Sequence, residues 1–207
     1  MARYLEVHPR DPQPRSIAQA VATLRDGGLI AYPTDSGYAL GACLDSHDAV
    51  GRIREIRRLD AHHHYTLVCA DFAQMGRLVK LDNSAFRAIK AATPGPYTFI
   101  LPATAEVPRR LAHPRKKTVG VRIPDHRVVA ALLREVGEPL LSSTLILPGQ
   151  TEPLADGYVV KETLDKVVDV VLDDGGTGAA EPTTVVDWSG GSPEIVREGA
   201  GDPGRFA

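Results

Sequence analysis

The chain has 207 residues, of which 43% are hydrophobic and 24% charged, and its formal net charge is −2. This composition excludes a wholly disordered chain, and the length suits a single domain with a sizeable core. The near-neutral charge excludes a protein that binds nucleic acid by bulk charge alone. The apolar runs fall far short of the roughly 20 residues that span a bilayer, and the first residues lack a signal-peptide core. We therefore expect a cytoplasmic protein whose Cys43 and Cys69 are reduced and buried.

The charged residues are unevenly distributed along the chain. Residues 109–122 contain six basic side chains and no acidic one. A second basic group consists of Arg52, Arg54, Arg57 and Arg58. Such segregation is typical of a protein that binds an anionic ligand at one face, although charge runs often serve only to keep a surface solvated.

Turn residues and hydrophobic periodicity predict alternating helices and strands. In chain order we predict a helix opened by a capping box at Ser16, a strand over 29–32 that ends at Pro33, a helix capped by Ser46, a strand over 65–70, a helix over about 84–92, strands over 97–102 and 118–123, a helix capped by Asp125, and strands over 140–147, 167–172, 183–188 and 194–198. Residues 150–158 are predicted to form a surface loop, and the last six residues are predicted to be loose. This alternation implies an α/β or α+β sheet with helices on its faces.

No standard catalytic signature is present: the chain lacks a phosphate-binding P-loop, a zinc-protease helix motif and a serine-hydrolase elbow. Three adjacent histidines, His62 to His64, cannot converge on one metal ion without partners, so we expect no metal ligands from the protein. Hydroxyl-rich turns and isolated arginines at strand ends remain. The period of two along a strand places Thr118, Gly120 and Arg122 on one face. Together with Arg197, these groups indicate a phosphate or carboxylate pocket.

Five motifs, taken together, resemble those of the Sua5/YrdC/YciO family of threonylcarbamoyl-AMP synthase-like proteins, with the YciO branch the most similar. They are YPTDSGYALGA (32–42), TPGPYTFIL (93–101), KKTVGVRIPDH (116–126), PTTVVD (182–187) and IVREG (195–199). The resemblance runs in family order over roughly residues 15 to 206. It implies one YrdC-like α/β domain over 15–206, with residues 1–14 as an extension leading into it. The implied architecture is a twisted, open, largely parallel sheet with flanking helices around a concave basic cavity.

The resemblance also implies an activity, the formation of threonylcarbamoyl-AMP. In that reaction L-threonine, bicarbonate and ATP give threonylcarbamoyl-AMP and pyrophosphate, as the first step toward N6-threonylcarbamoyladenosine in tRNA. A magnesium ion is expected with the nucleotide. No protein nucleophile is needed, because the reaction requires positioning and cations that hold the anionic groups.

The resemblance also implies binding roles for individual residues, which are assigned by their positions within the matching motifs. The implied threonine-binding residues are Thr34, His64, Arg122 and Thr183, with His63 as the alternative to His64. The implied nucleotide-binding residues are Arg57, Thr118, Thr144 and Arg197. Each of these residues has an alternative structural interpretation, most readily Thr118 and Thr183, because a threonine commonly begins a strand.

The chain departs from the family pattern at two positions. The synthases carry Lys-x-Arg after the second helix, whereas this chain has Arg57-Arg58-Leu59. They also carry Ser-x-Asn in a later strand, where this chain has Thr144-Leu145-Ile146. Losing one charged contact and one amide costs roughly 1–3 kcal/mol each, or about 10- to 100-fold apiece. Binding without efficient synthesis is therefore a second expectation.

Two alternatives to a synthase remain open at this point. The first is a protein that binds double-stranded RNA or tRNA through the cavity and the basic residues Arg115, Lys116 and Lys117, by shape and phosphate contacts. The second is a nucleotide-binding protein with a different small substrate. The retained Thr34, Arg122 and Arg197 favour the synthase, whereas Leu59 and Ile146 favour the alternatives.

Overall fold

The computed structural model describes residues 1–60, 65–176 and 180–206. Its strands are β1 (Arg3–Glu6), β2 (Ile30–Thr34), β3 (Gly37–Cys43), β4 (Thr66–Val68), β5 (Tyr97–Pro102), β6 (Thr118–Arg122), β7 (Leu140–Thr144), β8 (Val170–Asp173), β9 (Thr184–Asp187) and β10 (Glu194–Arg197). Its α-helices are α1 (Pro14–Arg25), α2 (His47–Arg57), α3 (Phe72–Leu78), α4 (Asn83–Ala92), α5 (Arg127–Val136) and α6 (Gly157–Leu164). A 3-10 helix over Pro203–Phe206 follows β10.

All ten described strands belong to one open sheet, in the order β1-β8-β2-β3-β7-β4-β6-β5-β9-β10. The predicted α/β fold with an open sheet is confirmed. Four neighbouring pairs are parallel and five are antiparallel, so the sheet is mixed rather than largely parallel. The antiparallel pairs arise partly because β2 and β3 are joined by a turn of two residues, which permits only a hairpin.

The two faces of the sheet are covered differently. On one face, buried side chains of α2, α3, α4 and α6 pack against strands from β2 to β9 in a single core. On the other face, α1 and α5 cover β8, β2, β3 and the start of β7. Successive residues of a strand face opposite sides of the sheet. Because Val121 and Phe99 belong to the core on the first face, their neighbours Gly120 and Thr98 lie on the second face. The part of the second face beyond α5 is polar, and it forms the functional site.

Several element boundaries differ from the sequence predictions. Helix α1 begins at Pro14, two residues before the predicted cap at Ser16. Proline is well tolerated at this position, because the backbone N–H that it lacks would have no hydrogen-bond partner in the first turn of the helix. Helix α5 has His126 rather than Asp125 at its N-cap. Strand β2 continues through Pro33 to Thr34, two residues beyond the predicted end.

Four elements were not predicted from the sequence. Strand β1 is only four residues long and contains two charged residues, so it gives little strand signal. Strand β3 is buried on both faces and shows no alternation, and α3 is too short for helical periodicity to show. Helix α6 begins at Gly157, inside the predicted loop, where the Asp156 carboxylate accepts a hydrogen bond of 3.0 Å from the Val159 N–H.

The C-terminal residues are better ordered than expected. The Phe206 ring is buried, and its centroid lies 5.4 Å from that of Tyr97 and 5.5 Å from that of Phe99. The prediction of a loose end was therefore wrong for residues 203–206, because aromatic edge-to-face packing holds this turn against β5.

Both cysteines match the prediction, since Cys43 and Cys69 are buried and free. Burial raises the pKa of each thiol to about 12, which makes them unreactive at neutral pH. No helix in the described part of the chain is long and apolar enough to cross a membrane.

Candidate functional site

A cavity of about 190 Å³ lies on the polar part of the second face. It is built by residues on or beside six neighbouring strands, β7, β4, β6, β5, β9 and β10, and by the C-terminal end of α2. Its described lining residues are Arg57, Thr66, Thr98, Ile100, Gly120, Ser142, Ser143, Thr144, Ile146, Thr183, Val185 and Arg197. Six of these side chains carry a hydroxyl, and two are arginines. No aspartate or glutamate occurs among them, so the charge of the described lining is positive.

Two arginines approach the cavity from different elements. Arg57, the last residue of α2, donates from Nε to the Ser143 hydroxyl at 3.3 Å. Arg197, the last residue of β10, donates from Nε at 3.1 Å and from Nη2 at 2.8 Å to the Thr183 carbonyl oxygen. Burial lowers the pKa of both guanidinium groups, and the charge of Arg197 lowers the pKa of Arg57 further. The two cations are therefore close enough to repel, and a bound anion would relieve that repulsion.

The hydroxyl groups are held in fixed positions by buried partners. The Thr98 and Thr183 hydroxyls lie 2.9 Å apart, and Arg197 Nη2 donates to the Thr183 hydroxyl at 3.1 Å. Across the cavity, the hydroxyl of the fully buried Tyr32 lies 2.8 Å from that of Ser142. Burial raises the pKa of Tyr32 to about 12, so this phenol stays protonated at neutral pH. Hydrogen bonds of this kind hold the hydroxyl groups in place at the cavity surface, so the side chains need not rearrange when a ligand binds.

Gly120 keeps one wall of the cavity open. A Cβ atom at this position would lie 2.9 Å from Thr66 Oγ1 and 3.0 Å from the Tyr65 carbonyl oxygen. Because both distances are shorter than ordinary carbon–oxygen contacts, any larger residue would push against β4. The glycine thus lets β6 lie close to β4 beneath the cavity.

A second cavity of about 190 Å³ contains Thr34 and Asp35, together with His126 and Asp174. The Thr34 hydroxyl donates to the Gly37 carbonyl oxygen at 2.6 Å and accepts from the Ser36 N–H at 3.1 Å. Thr34 therefore stabilises the turn between β2 and β3 as well as lining the cavity. The hydrogen bond from His126 lowers the pKa of Asp174, which keeps that carboxylate ionised.

Arg122, at the end of β6, is only 4% exposed and forms an ion pair with Asp35. Its charge lowers the pKa of Arg197, a residue of the first cavity, whereas its partner Asp35 lines the second. Burial lowers the pKa of Arg122 itself, and Asp35 opposes that shift. Arg122 itself is not among the described residues that line either cavity.

The structure brings four of the eight predicted threonine- and nucleotide-binding residues into one cavity. Arg57, Thr144, Thr183 and Arg197 line the first cavity, and Thr34 lines the second. Thr118 is buried at the start of β6 and is not among the described residues that line either cavity. The predicted residue His64, with His62 and His63, lies outside the described residues.

The predicted RNA-binding residues occupy the turn before β6. Arg115, Lys116 and Lys117 are all exposed. Lys116 Nζ lies 3.7 Å from a carboxylate oxygen of Asp187, and Lys117 Nζ donates to the Pro114 carbonyl oxygen at 2.7 Å. Both lysines are therefore exposed to solvent, although each ammonium group also contacts an oxygen atom of the protein.

The two departures from the family pattern have different surroundings. Ile146 lines the first cavity, where an amide would face the ligand. Leu59 packs instead against the hydrophobic core beyond the end of α2, after Arg58 in the left-handed conformation at φ 50°. The change at Ile146 therefore alters the described lining of the cavity directly, whereas Leu59 removes a cation and contributes to the core.

Sequence reasoning missed several lining residues. Four hydroxyl-bearing lining residues, Thr66, Thr98, Ser142 and Ser143, were not assigned to the site. The sequence feature that could have identified them is the alternation of hydroxyl and apolar residues along a strand, as in Thr98-Phe99 on β5. This alternation shows which face is polar, but not which strands lie side by side.

The fold and the cavity define an α/β protein with a cationic, hydroxyl-lined cavity. Comparison with known proteins gives the family. A family model covering Sua5, YciO and YrdC proteins, described as "Telomere recombination", matches residues 22–199. The E. coli protein YciO is 46% identical over 100% of both chains, and its crystal structure gives a TM-score of 0.97.

More distant relatives carry a named activity or ligand. The Bacillus subtilis threonylcarbamoyl-AMP synthase is 32% identical over 94% of this chain and 55% of its own length. The crystal structure of P. abyssi Sua5 complexed with L-threonine gives a TM-score of 0.85 at 29% identity, covering 95% of this chain and 57% of that one. The chain therefore belongs to the Sua5/YciO/YrdC family.

Proposed function

We propose that this protein binds ATP and L-threonine and, with bicarbonate, forms threonylcarbamoyl-AMP for the N6-threonylcarbamoyl modification of tRNA adenosine. The observation that carries the proposal is the cavity described above, in which Arg57 and Arg197 face a set of hydroxyls with no carboxylate among the described lining residues. Phosphate groups suit such a lining, because guanidinium groups and hydroxyls donate hydrogen bonds to their oxygens. The relatives named for this synthase and for bound L-threonine support the choice of substrates.

The proposed reaction requires two steps. The ammonium group of L-threonine first loses a proton, and the resulting amine attacks the carbon of bicarbonate, forming an N–C bond and releasing water. A carbamate oxygen then attacks the α-phosphorus of ATP, and the bond to the bridging oxygen breaks as pyrophosphate leaves. In this scheme the protein forms no covalent bond to substrate; Arg57 and Arg197 hold the phosphates, and Arg122 holds the threonine carboxylate.

No group of three or more histidine, cysteine, aspartate or glutamate side chains that could hold a metal ion occurs among the described residues. We propose that magnesium arrives with ATP, bound to its phosphate oxygens and water, which are the ligands that this ion prefers.

The test is a direct assay of the synthase reaction. Purified protein is incubated with ATP, L-threonine and bicarbonate, and pyrophosphate and threonylcarbamoyl-AMP are measured with and without threonine. We expect threonine-dependent formation of both products. Product no greater than that of a heat-denatured control would rule out the synthase.

Restoring the missing amide should increase this activity. We expect Ile146→Asn to raise the rate of threonine-dependent pyrophosphate release about 10-fold, since one hydrogen bond to a charged group contributes roughly 1.5–3 kcal/mol. Ile146→Leu is the matched control, because it changes the shape of the same cavity wall without adding a polar group. Equal rates for the two variants would contradict a role for this position in synthesis.

A second candidate function is binding of double-stranded RNA or tRNA. The observation that favours it is the exposure of three consecutive basic residues, Arg115, Lys116 and Lys117, in one turn. Such a turn can contact RNA phosphates without reading the sequence of bases.

The lysines of this turn provide a test of RNA binding. We expect Lys116→Ala with Lys117→Ala to weaken binding of a tRNA and to reduce the salt dependence of the affinity, because fewer counterions are released. Fluorescence anisotropy over a salt series measures both. Replacement of Arg87 and Lys90, basic residues of α4, serves as the charge-matched control. An unchanged affinity and salt slope would remove the turn from any RNA interface.

A further inference from the structure

The ion pair between Asp35 and Arg122 joins parts of the sheet that are not adjacent. Asp35 lies in the turn between β2 and β3, and Arg122 is the last residue of β6. Strands β7 and β4 lie between β3 and β6 in the sheet. The turn therefore reaches across the ends of two strands to place one carboxylate against one guanidinium group.

This contact leaves Arg122 incompletely satisfied. Its Nη2 donates to Asp35, whereas its buried Nε has no hydrogen-bond partner among the residues that the structure describes. An unpaired donor on a buried charged group is costly, so such a donor commonly serves a ligand. The ion pair uses one edge of the guanidinium group and leaves a second donor for another acceptor.

Asp35 is itself fixed from two directions. One of its carboxylate oxygens accepts from Arg122, and the other accepts from the Asp125 N–H at 3.0 Å. The turn that carries it is closed by the Thr34 hydroxyl. With both oxygens engaged and its side chain only 13% exposed, Asp35 is a rigid support rather than a mobile group.

We propose that Asp35 is a positioning residue, which holds the Arg122 guanidinium group so that its Nε meets an oxygen of a ligand carboxylate. The proposal rests on the proposed function for the identity of that ligand, L-threonine. Asp35 compensates part of the buried charge and sets the orientation of the planar guanidinium group, while the ligand supplies the remaining acceptor. The alternative role for Asp35 is that of a competitor, whose carboxylate binds Arg122 in place of the ligand carboxylate.

The variant Asp35→Asn distinguishes these two roles. It keeps the size of the side chain and an acceptor for the Asp125 N–H but removes the charge. We expect its affinity for L-threonine, measured by calorimetry, to fall about 10-fold or more, with its affinity for ATP changed less than about 2-fold. Asp125→Asn is the matched control, since it removes a neighbouring exposed carboxylate and keeps the backbone N–H. Tighter threonine binding by Asp35→Asn would show competition and overturn the proposal.

A spectroscopic measurement tests the proposal without any ligand. In ¹⁵N-labelled protein, the Nε–H signal of Arg122 is identified by its loss in Arg122→Lys. We expect this signal to be protected from solvent exchange in the natural protein and to shift and lose protection in Asp35→Asn. An unchanged signal would overturn the positioning role, even if the natural protein binds no threonine and the proposed function fails. If Asp35→Asn does not fold, Asp35→Glu, which keeps the charge but displaces it, should give the same change.

Discussion

Replacing either cavity arginine with alanine, Arg57→Ala or Arg197→Ala, is expected to weaken ATP binding about 10- to 100-fold. A hydrogen bond to a charged group contributes roughly 1.5–3 kcal/mol, and each tenfold change in affinity corresponds to about 1.4 kcal/mol. Arg57 is half-buried, and Arg197, although exposed, is held in place by two hydrogen bonds to the Thr183 carbonyl oxygen. The described lining of the cavity holds no acidic side chain that would compete with a phosphate. Calorimetric titration with ATP measures the loss.

A matched control is provided by α2 itself. Arg54 lies three residues before Arg57 on the same helix, but its side chain is exposed and is not among the described residues that line the cavity. Arg54→Ala should leave the affinity for ATP within about 2-fold, because exposed charges interact weakly through water. If Arg54→Ala and Arg57→Ala weakened binding equally, general attraction by the basic surface would explain the data, and the cavity would not be the nucleotide site.

Removing Arg122 alone is expected to have the largest effect on stability. Arg122→Met should reduce the free energy of unfolding by about 3–5 kcal/mol, the usual cost when one member of a buried ion pair is lost. Asp35 then remains only 13% exposed without its cation. The added substitution Asp35→Leu should recover part of this loss, since it removes the uncompensated charge. Urea denaturation of the two single variants and the double variant gives the coupling free energy.

The ion pair of Arg52 with Asp169 is a suitable comparison. Its atoms are 2.8 Å apart, but the two side chains are 33% and 42% exposed. Arg52→Met should therefore reduce the free energy of unfolding by about 1 kcal/mol or less. A similar loss for Arg52→Met and Arg122→Met would show that burial does not set the energy of the Arg122 pair.

The sequence predicts a large part of the fold because its local signals are strong. The boundaries predicted for β5, residues 97–102, agree with the structure, since apolar residues between turn signals define a strand. Ser46 caps α2 as predicted, with its hydroxyl accepting from the Ala49 N–H. Sequence prediction fails where a strand is buried on both faces, because the alternation of polar and apolar residues is then absent. Strand β3 is covered on both faces, and nothing in its apolar run distinguishes a strand from a helix.

The sequence also predicts much of the candidate site, through motifs rather than through geometry. Arg57, Thr144, Thr183 and Arg197 come from four separate parts of the chain and line one cavity. Their convergence depends on the order of the strands, which places β7, β4, β6, β5 and β9 side by side. No local pattern specifies that order, because it results from long-range pairing.

Length, composition and charge, 207 residues with a net charge of −2, thus predicted a globular protein with a sizeable core. Its motifs determined the family and the residue types of the site. Only the tertiary structure decided which basic residues lie in a cavity and which are paired with a carboxylate. It places Arg57 and Arg197 in a cavity, pairs Arg52 with Asp169, and buries Arg122 against Asp35. The physical reason is that the effect of a charge depends on its burial and its neighbours, which the three-dimensional fold sets.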